Sequence, residues 1–235
     1  MKQIVLFVSL MMLWQVQAQQ SLQGTNLYNA QTVLAKSIEA QGGKEFLQSI
    51  QSMYTNSSTV ANGIPVNWVV KEMEPNKSAV QMVNNHRIIY QSWFDGKNGY
   101  EIVNGKKRKH LPAELQDNHI RKNLIHELDY LDTSLWKLQL VGEEIVLNQP
   151  CYWVHARSSN GLARNLYYSK SSFLLLRQDK LISKEITYSY FYLSYASQGG
   201  LTFSNKIKLL KNGIFQDITV LEKRINEGVG ETDFR

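Results

Sequence analysis

The residues that could carry chemistry are few and poorly spaced for it. His119, His126, Glu127 and Asp129 come nearest to a metal-binding set. Seven residues of helix span about 10.5 Å at 1.5 Å each, too far for both histidines to reach one ion at about 2 Å. They read as solvated helix histidines. His155 shares a strand face with Trp153 and Arg157, and no carboxylate in the pattern would make it a general base. Cys151 is the only cysteine, so it forms no internal disulfide and reads as a small buried apolar residue. Gly-x-Ser-x-Gly, Gly-x-x-x-x-Gly-Lys and His-Glu-x-x-His are all absent from the sequence. The expectation is a protein that is not an enzyme and uses no cofactor and no metal.

Charge narrows the partners. The chain carries 26 Lys and Arg against 20 Asp and Glu, a net of +6, and Lys106-Lys107-Arg108-Lys109-His110 form one basic run. Such a run beside Asn104-Gly105 is a solvated hairpin end, and its functional reading is transient contact with an anionic membrane surface. Residues 1–18 have the form of an export signal: Lys2, an apolar stretch from Ile4 to Trp14, then Val16-Gln17-Ala18 as a small-x-small cleavage site. Cleavage is expected after Ala18, placing residues 19–235 in the periplasm as one soluble domain and making nucleic acid a poor partner. No later stretch approaches the roughly 20 apolar residues of a membrane helix.

The elements that would position these residues are mostly strands. Leu27, Ala30, Leu34 and Ile38 recur at helical spacing and Gly42-Gly43 ends the pattern; a shorter helix with Phe46, Leu47 and Ile50 follows. The period then turns to two, predicting strands over Met53–Asn62, Pro65–Glu72, Ser78–Asn84, His86–Phe94 and Gly99–Val103, separated by Asn-Gly, Asn-Asn and Asp-Gly turns. Trp68, Val70, Met82, Ile89, Trp93, Tyr100 and Ile102 give this meander more large apolar side chains than one face of a small sheet needs. Ala113–Tyr130, with Leu115, Ile120, Leu124 and Leu128, predicts one or two helices inserted before a second meander. That meander runs through Trp136–Val146, Cys151–Ser158, Leu162–Ser169 and Phe173–Lys180, with further strands over Glu185–Tyr195, Leu201–Leu210 and Phe215–Ile225. In its second strand Tyr152, Val154 and Ala156 share the drier face. The fold class is α+β: a curved, incompletely closed antiparallel barrel of about a dozen strands with helices on its concave face.

Several stretches in this order resemble the periplasmic outer-membrane lipoprotein carrier and lipoprotein-sorting family (LolA/LolB-like). They are IEAQGGKEFLQSIQSM, VKEMEPNKSAV, YQSWFDGKNGYEI, the basic run leading to HLP, LQLVGEEIVLNQPCYWVHA and EKRINEGV. The resemblance implies an unclosed barrel with helices plugging its mouth. It also implies an apolar cavity for lipoprotein acyl chains or another lipid, handed between membrane-bound donor and acceptor proteins by a monomeric carrier. On that reading Trp68, Val70, Met82, Ile89, Trp93, Tyr100 and Ile102 line the cavity, and Ile120, Leu124 and Leu128 form a lid. One position departs from the family pattern: Glu74 stands before Pro75 where the best-known carriers place a lid-latching Arg. A carboxylate only accepts hydrogen bonds where a guanidinium only donates, so the same latch is not expected. The rival from another class is an envelope-sensing or protein-interaction module with a packed interior.

Overall fold

The computed structural model describes residues 28–103, 105–182 and 187–235; the expected signal segment lies outside them. Helix α1 (Ala30–Gln41) begins where the Asn29 side chain accepts the Thr32 N–H at 2.8 Å, supplying one of the partners a helix start lacks. It ends at Gly42, whose φ of 136° a side chain would strain. A Cβ there would also stand 2.6 Å from the Gly200 carbonyl, so two glycines let the joint between α1 and α2 (Lys44–Ser49) seat on a strand turn.

Thirteen antiparallel strands then form one sheet. They are β1 (Ser52–Ala61), β2 (Ile64–Met73), β3 (Lys77–Asn84), β4 (Arg87–Phe94), β5 (Gly99–Val103), β6 (Lys106–Lys109), β7 (Trp136–Val146), β8 (Gln149–Ser158), β9 (Ala163–Ser169), β10 (Leu175–Leu181), β11 (Thr187–Gln198), β12 (Leu201–Lys211) and β13 (Ile214–Ile225). Their spatial order is β6-β5-β4-β3-β2-β1-β13-β12-β11-β10-β9-β8-β7. The two meanders are joined where β1 pairs with β13, and β6 and β7 are the edge strands among the described residues. This is an open barrel.

The basic run is therefore a strand. All four residues of β6 are exposed, and charged side chains suit an edge that must not template further pairing. The segment between the two edges is less helical than expected: a 3-10 turn over Pro112–Leu115, then α3 (Gln116–Ile120) and α4 (His126–Asp129). The helix breaks between them because side chains take over the backbone groups. Arg121 donates to the carbonyls of Asn123 and Leu124 at 2.9 and 2.6 Å, and Asp129 accepts the N–H groups of Lys122 and Asn123 at 3.1 and 3.0 Å.

The main core lies on the concave side of the second meander. Val33, Leu34 and Ile38 of α1 and Ile120, Leu124 and Leu128 of the insertion pack with Trp136, Tyr152, Val154, Ala156, Leu166 and Tyr168. Cys151, fully buried, belongs to a smaller cluster on the convex side with Val146, Tyr167 and Leu176.

Candidate functional site

Register decides which apolar residues share a wall. Met53 belongs to the helix-covered core, and Met53, Thr55 and Ser57 stand opposite Glu72, Val70 and Trp68. Val70 and Trp68 in turn stand opposite Val80 and Met82. Trp68, Val70 and Met82 thus share the concave face, each half-buried. Trp93, Tyr100 and Ile102 do not join them. Trp93 pairs with Ala79 and Tyr100 on the convex face, and the C-terminal segment covers them with Val229 and Phe234. Ile89 sits at an irregularity in the β3–β4 pairing and is 51% exposed at a hairpin end. The seven expected wall residues are therefore three on the concave face, three on the convex face and one at a tip.

Ile120, Leu124 and Leu128 are all buried in the main core, and polar bonds fasten their segment to both meanders. Toward the first, Arg121 Nη1 donates to Glu72 Oε1 at 2.7 Å, the Leu124 N–H donates to Glu74 Oε1 at 3.0 Å, and Asn76 Nδ2 donates to the Asn118 carbonyl. Toward the second, Asp117 accepts from Arg164 at 2.8 Å and from Lys180 at 2.7 Å. Arg164 is buried, donates to Tyr130 Oη at 2.9 Å and lies 4.9 Å from the Trp136 ring centre. Burial would raise the Asp117 pKa, but Lys180 and Arg164 hold it well below the usual carboxylate range. The insertion is thus a strap across the opening, and Glu74 serves in it as an acceptor.

Beneath the strap is a hollow. His126 is exposed to solvent, and Glu127, Lys180, Tyr190, Tyr192, Tyr195 and Lys223 are half-buried. Surrounding protein is nevertheless the leading influence on each. Desolvation pushes His126 well below its ordinary pKa, lowers Lys180 and Lys223, and raises Glu127, Tyr190, Tyr192 and Tyr195. Side chains that water reaches, yet that protein surrounds, line the inside of an open concavity. One recess in it, about 160 Å³, is bounded by Met53, Ile125, Leu175, Leu201 and Phe203, with Gln41, Glu127, Tyr192 and Lys223 beside them. Lys223 Nζ donates to Thr55 Oγ1 at 2.9 Å, and Thr55 is the register partner of Val70. The recess and the half-buried Trp68 wall are thus continuous along one face. The Trp68 indole N–H is buried without a hydrogen-bond partner among the described residues.

Sequence reasoning missed Glu127 as a hollow-lining residue, and with it Tyr192, Tyr195 and Lys223. The alternation of Tyr188, Tyr190 and Tyr192 along β11 was the available signal. Chemically the lining offers apolar surface with the ammonium groups of Lys180 and Lys223, the Glu127 carboxylate and tyrosine hydroxyls at its edge, which suits an amphipathic chain.

No family model matches the chain, and no curated protein matches it in sequence. Solved structures do. A DUF1329 family protein of Desulfovibrio piger superposes with a TM-score of 0.62 at 13% identity, covering 88% of this chain and 97% of that one. A LolA superfamily protein of Nitrosomonas europaea gives 0.60 at 13% identity over 88% and 98%. An outer membrane lipoprotein-sorting protein domain of Vibrio parahaemolyticus gives 0.61 at 10% identity over 88% and 97%. The chain has the open-barrel fold of LolA superfamily and lipoprotein-sorting proteins.

Proposed function

We propose that this protein is an exported, non-enzymatic binder of lipid acyl chains, working as a periplasmic carrier or chaperone of a lipoprotein or another lipid toward the outer membrane. The observation that carries the reading is the solvent-reachable but desolvated lining of the concave face. A packed interior would leave those side chains out of reach of solvent. The recess of about 160 Å³ is smaller than the roughly 300–1,000 Å³ of a small-molecule site; on this reading a long chain would run on from it along Val70, Trp68 and Met82. Each buried CH₂ contributes about 0.8 kcal/mol, enough in sum to offset displacement of part of the strap. Lys223 is placed for the polar end of the ligand. The fold likeness to lipoprotein-sorting proteins supports the same reading.

Titration of the exported protein with a fluorescent fatty acyl probe tests it. Displaceable, near-stoichiometric binding is expected. Val70→Asp, which sets a charge in the wall, is expected to weaken it more than tenfold while circular dichroism stays unchanged, and Leu221→Asp, at an exposed position, serves as the control. Wild-type affinity in folded Val70→Asp would contradict the proposal.

A further inference from the structure

Four hairpin turns lie side by side at the end of the sheet opposite the Glu74 strap. In strand order, β6-β5, β4-β3, β2-β1 and β13-β12 are consecutive neighbours. Their turns fall at Gly105, Asn85-His86, Asn62-Gly63 and Asn212-Gly213. Glu74 follows the far end of β2, whose near end is Ile64. Neighbouring strands lie about 4.8 Å apart, so the four tips form a row roughly 30 Å long.

Three of these tips carry large apolar side chains into solvent: Ile88 and Ile89 at 52% and 51%, Val60 and Ile64 at 53% and 46%, Ile214 and Phe215 at 71% and 59%. Scattered single exposures are ordinary, but paired ones on three adjacent turns form a patch that calls for a partner. Residues 60–64, 84–89, 105–107 and 211–215 contain no acidic residue, while Arg87, Lys106 and Lys211 stand among them exposed. None of these three cations pairs with a carboxylate among the described residues.

We propose that this row of tips is a membrane-docking surface that inserts its apolar side chains into the headgroup region of an anionic bilayer. Shallow insertion of an apolar row flanked by basic side chains is how peripheral proteins hold an interface, with both apolar area and charge contributing. Charge complementarity selects the occupant, because a row of cations without carboxylates meets an anionic surface without repulsion. Separate tips also need no matching set of pockets in a fluid bilayer. The proposal does not rest on the acyl site, since no tip residue lines the enclosed hollow.

Co-sedimentation of the exported protein with phosphatidylglycerol-containing vesicles, compared with pure phosphatidylcholine vesicles, tests it. Binding to the anionic vesicles is expected, falling several-fold between 50 and 300 mM salt. Ile214→Ser with Phe215→Ser, and separately Arg87→Glu with Lys211→Glu, are each expected to reduce it more than tenfold at unchanged melting temperature. Absence of wild-type binding to anionic vesicles, or wild-type binding by both double variants, would overturn the proposal.

Discussion

Glu74 Oε1 accepts the backbone N–H of Leu124 at 3.0 Å, across fifty residues of chain. The neighbouring Glu72 carboxylate holds Arg121 at 2.7 Å. The strap is thus tied to the end of β2 and the turn after it, where the Glu72 and Glu74 carboxylates accept from donors on the strap. Glu74, the position at which the sequence departs from the pattern it resembles, is thus an acceptor in this tie. A hydrogen bond to a charged group contributes about 1.5–3 kcal/mol, and several of them set how readily the strap yields.

Arg121→Ala removes the Glu72 pair and both carbonyl bonds at the α3–α4 break. Acyl-probe association measured by stopped flow is expected to accelerate about tenfold, with the same end-point stoichiometry, because about 1.4 kcal/mol less holds the strap down. An unchanged rate would show that strap opening does not gate entry.

Asp117 is the single carboxylate shared by Arg164 and Lys180. Asp117→Ala removes both acceptor oxygens and leaves the buried Arg164 guanidinium with Tyr130 as its remaining hydrogen-bond partner among the described residues. A loss of about 2 kcal/mol is expected, a fall in melting temperature of about 6 °C for a chain of this size. Unfolding at pH 7 by calorimetry checks it, and a change under about 1 °C would mean that the strap is not anchored there.

Much of this arrangement was legible in the sequence, and the exceptions have physical causes. Twelve strands and α1 follow from period-two and period-four patterns closed by Asn-Gly and Gly-Gly turns. Lys106–Lys109 escaped because an edge strand with no buried side chain shows no alternation. Trp93, Tyr100 and Ile102 went to the wrong face for a different reason. Alternation shows which residues within one strand share a face, but register across strands decides which face that is. The irregularity between Met82 and Val83 and the pairing of Trp93 with Ala79 are set by the assembled sheet. Ile120, Leu124 and Leu128 show the converse, since their spacing marked a buried stripe although the helix carrying it is broken.

Phe234 closes the convex cluster over Ala79 and Trp93. Phe234→Ala is expected to cost about 3 kcal/mol, the low end for a buried Phe, and to shift Trp93 emission to longer wavelength. Acyl-probe affinity is expected to stay unchanged, because this cluster and the hollow lie on opposite faces. A parallel loss of affinity would place Trp93 in the binding wall after all.

His126 and Glu127 respond to acid with opposite signs. The folded pKa of His126 lies well below its ordinary value because the surrounding protein desolvates it, and then because of the charges of Arg121, Arg164 and Lys180. The unfolded chain therefore takes up that proton first, and stability is lost as pH falls below about 6.5. Burial raises Glu127 and Glu74, so the folded protein takes up those protons first and stability is gained as pH falls through their raised values. Melting curves of wild type and His126→Gln between pH 7.5 and 5.5 separate the two effects. The variant is expected to lose less stability on acidification; parallel curves would show that His126 is not desolvated.

The central claim is that the concave face holds an acyl chain, and a photoactivatable fatty acid cross-linked to the purified protein tests it most directly. Peptide mapping is expected to find label on β2, β3, β11 and β13, around Trp68, Val70, Met82, Tyr192 and Lys223, and to find it abolished by excess unlabelled fatty acid. Label confined to the convex cluster of Trp93 and Tyr100, or unaffected by competitor, would contradict it.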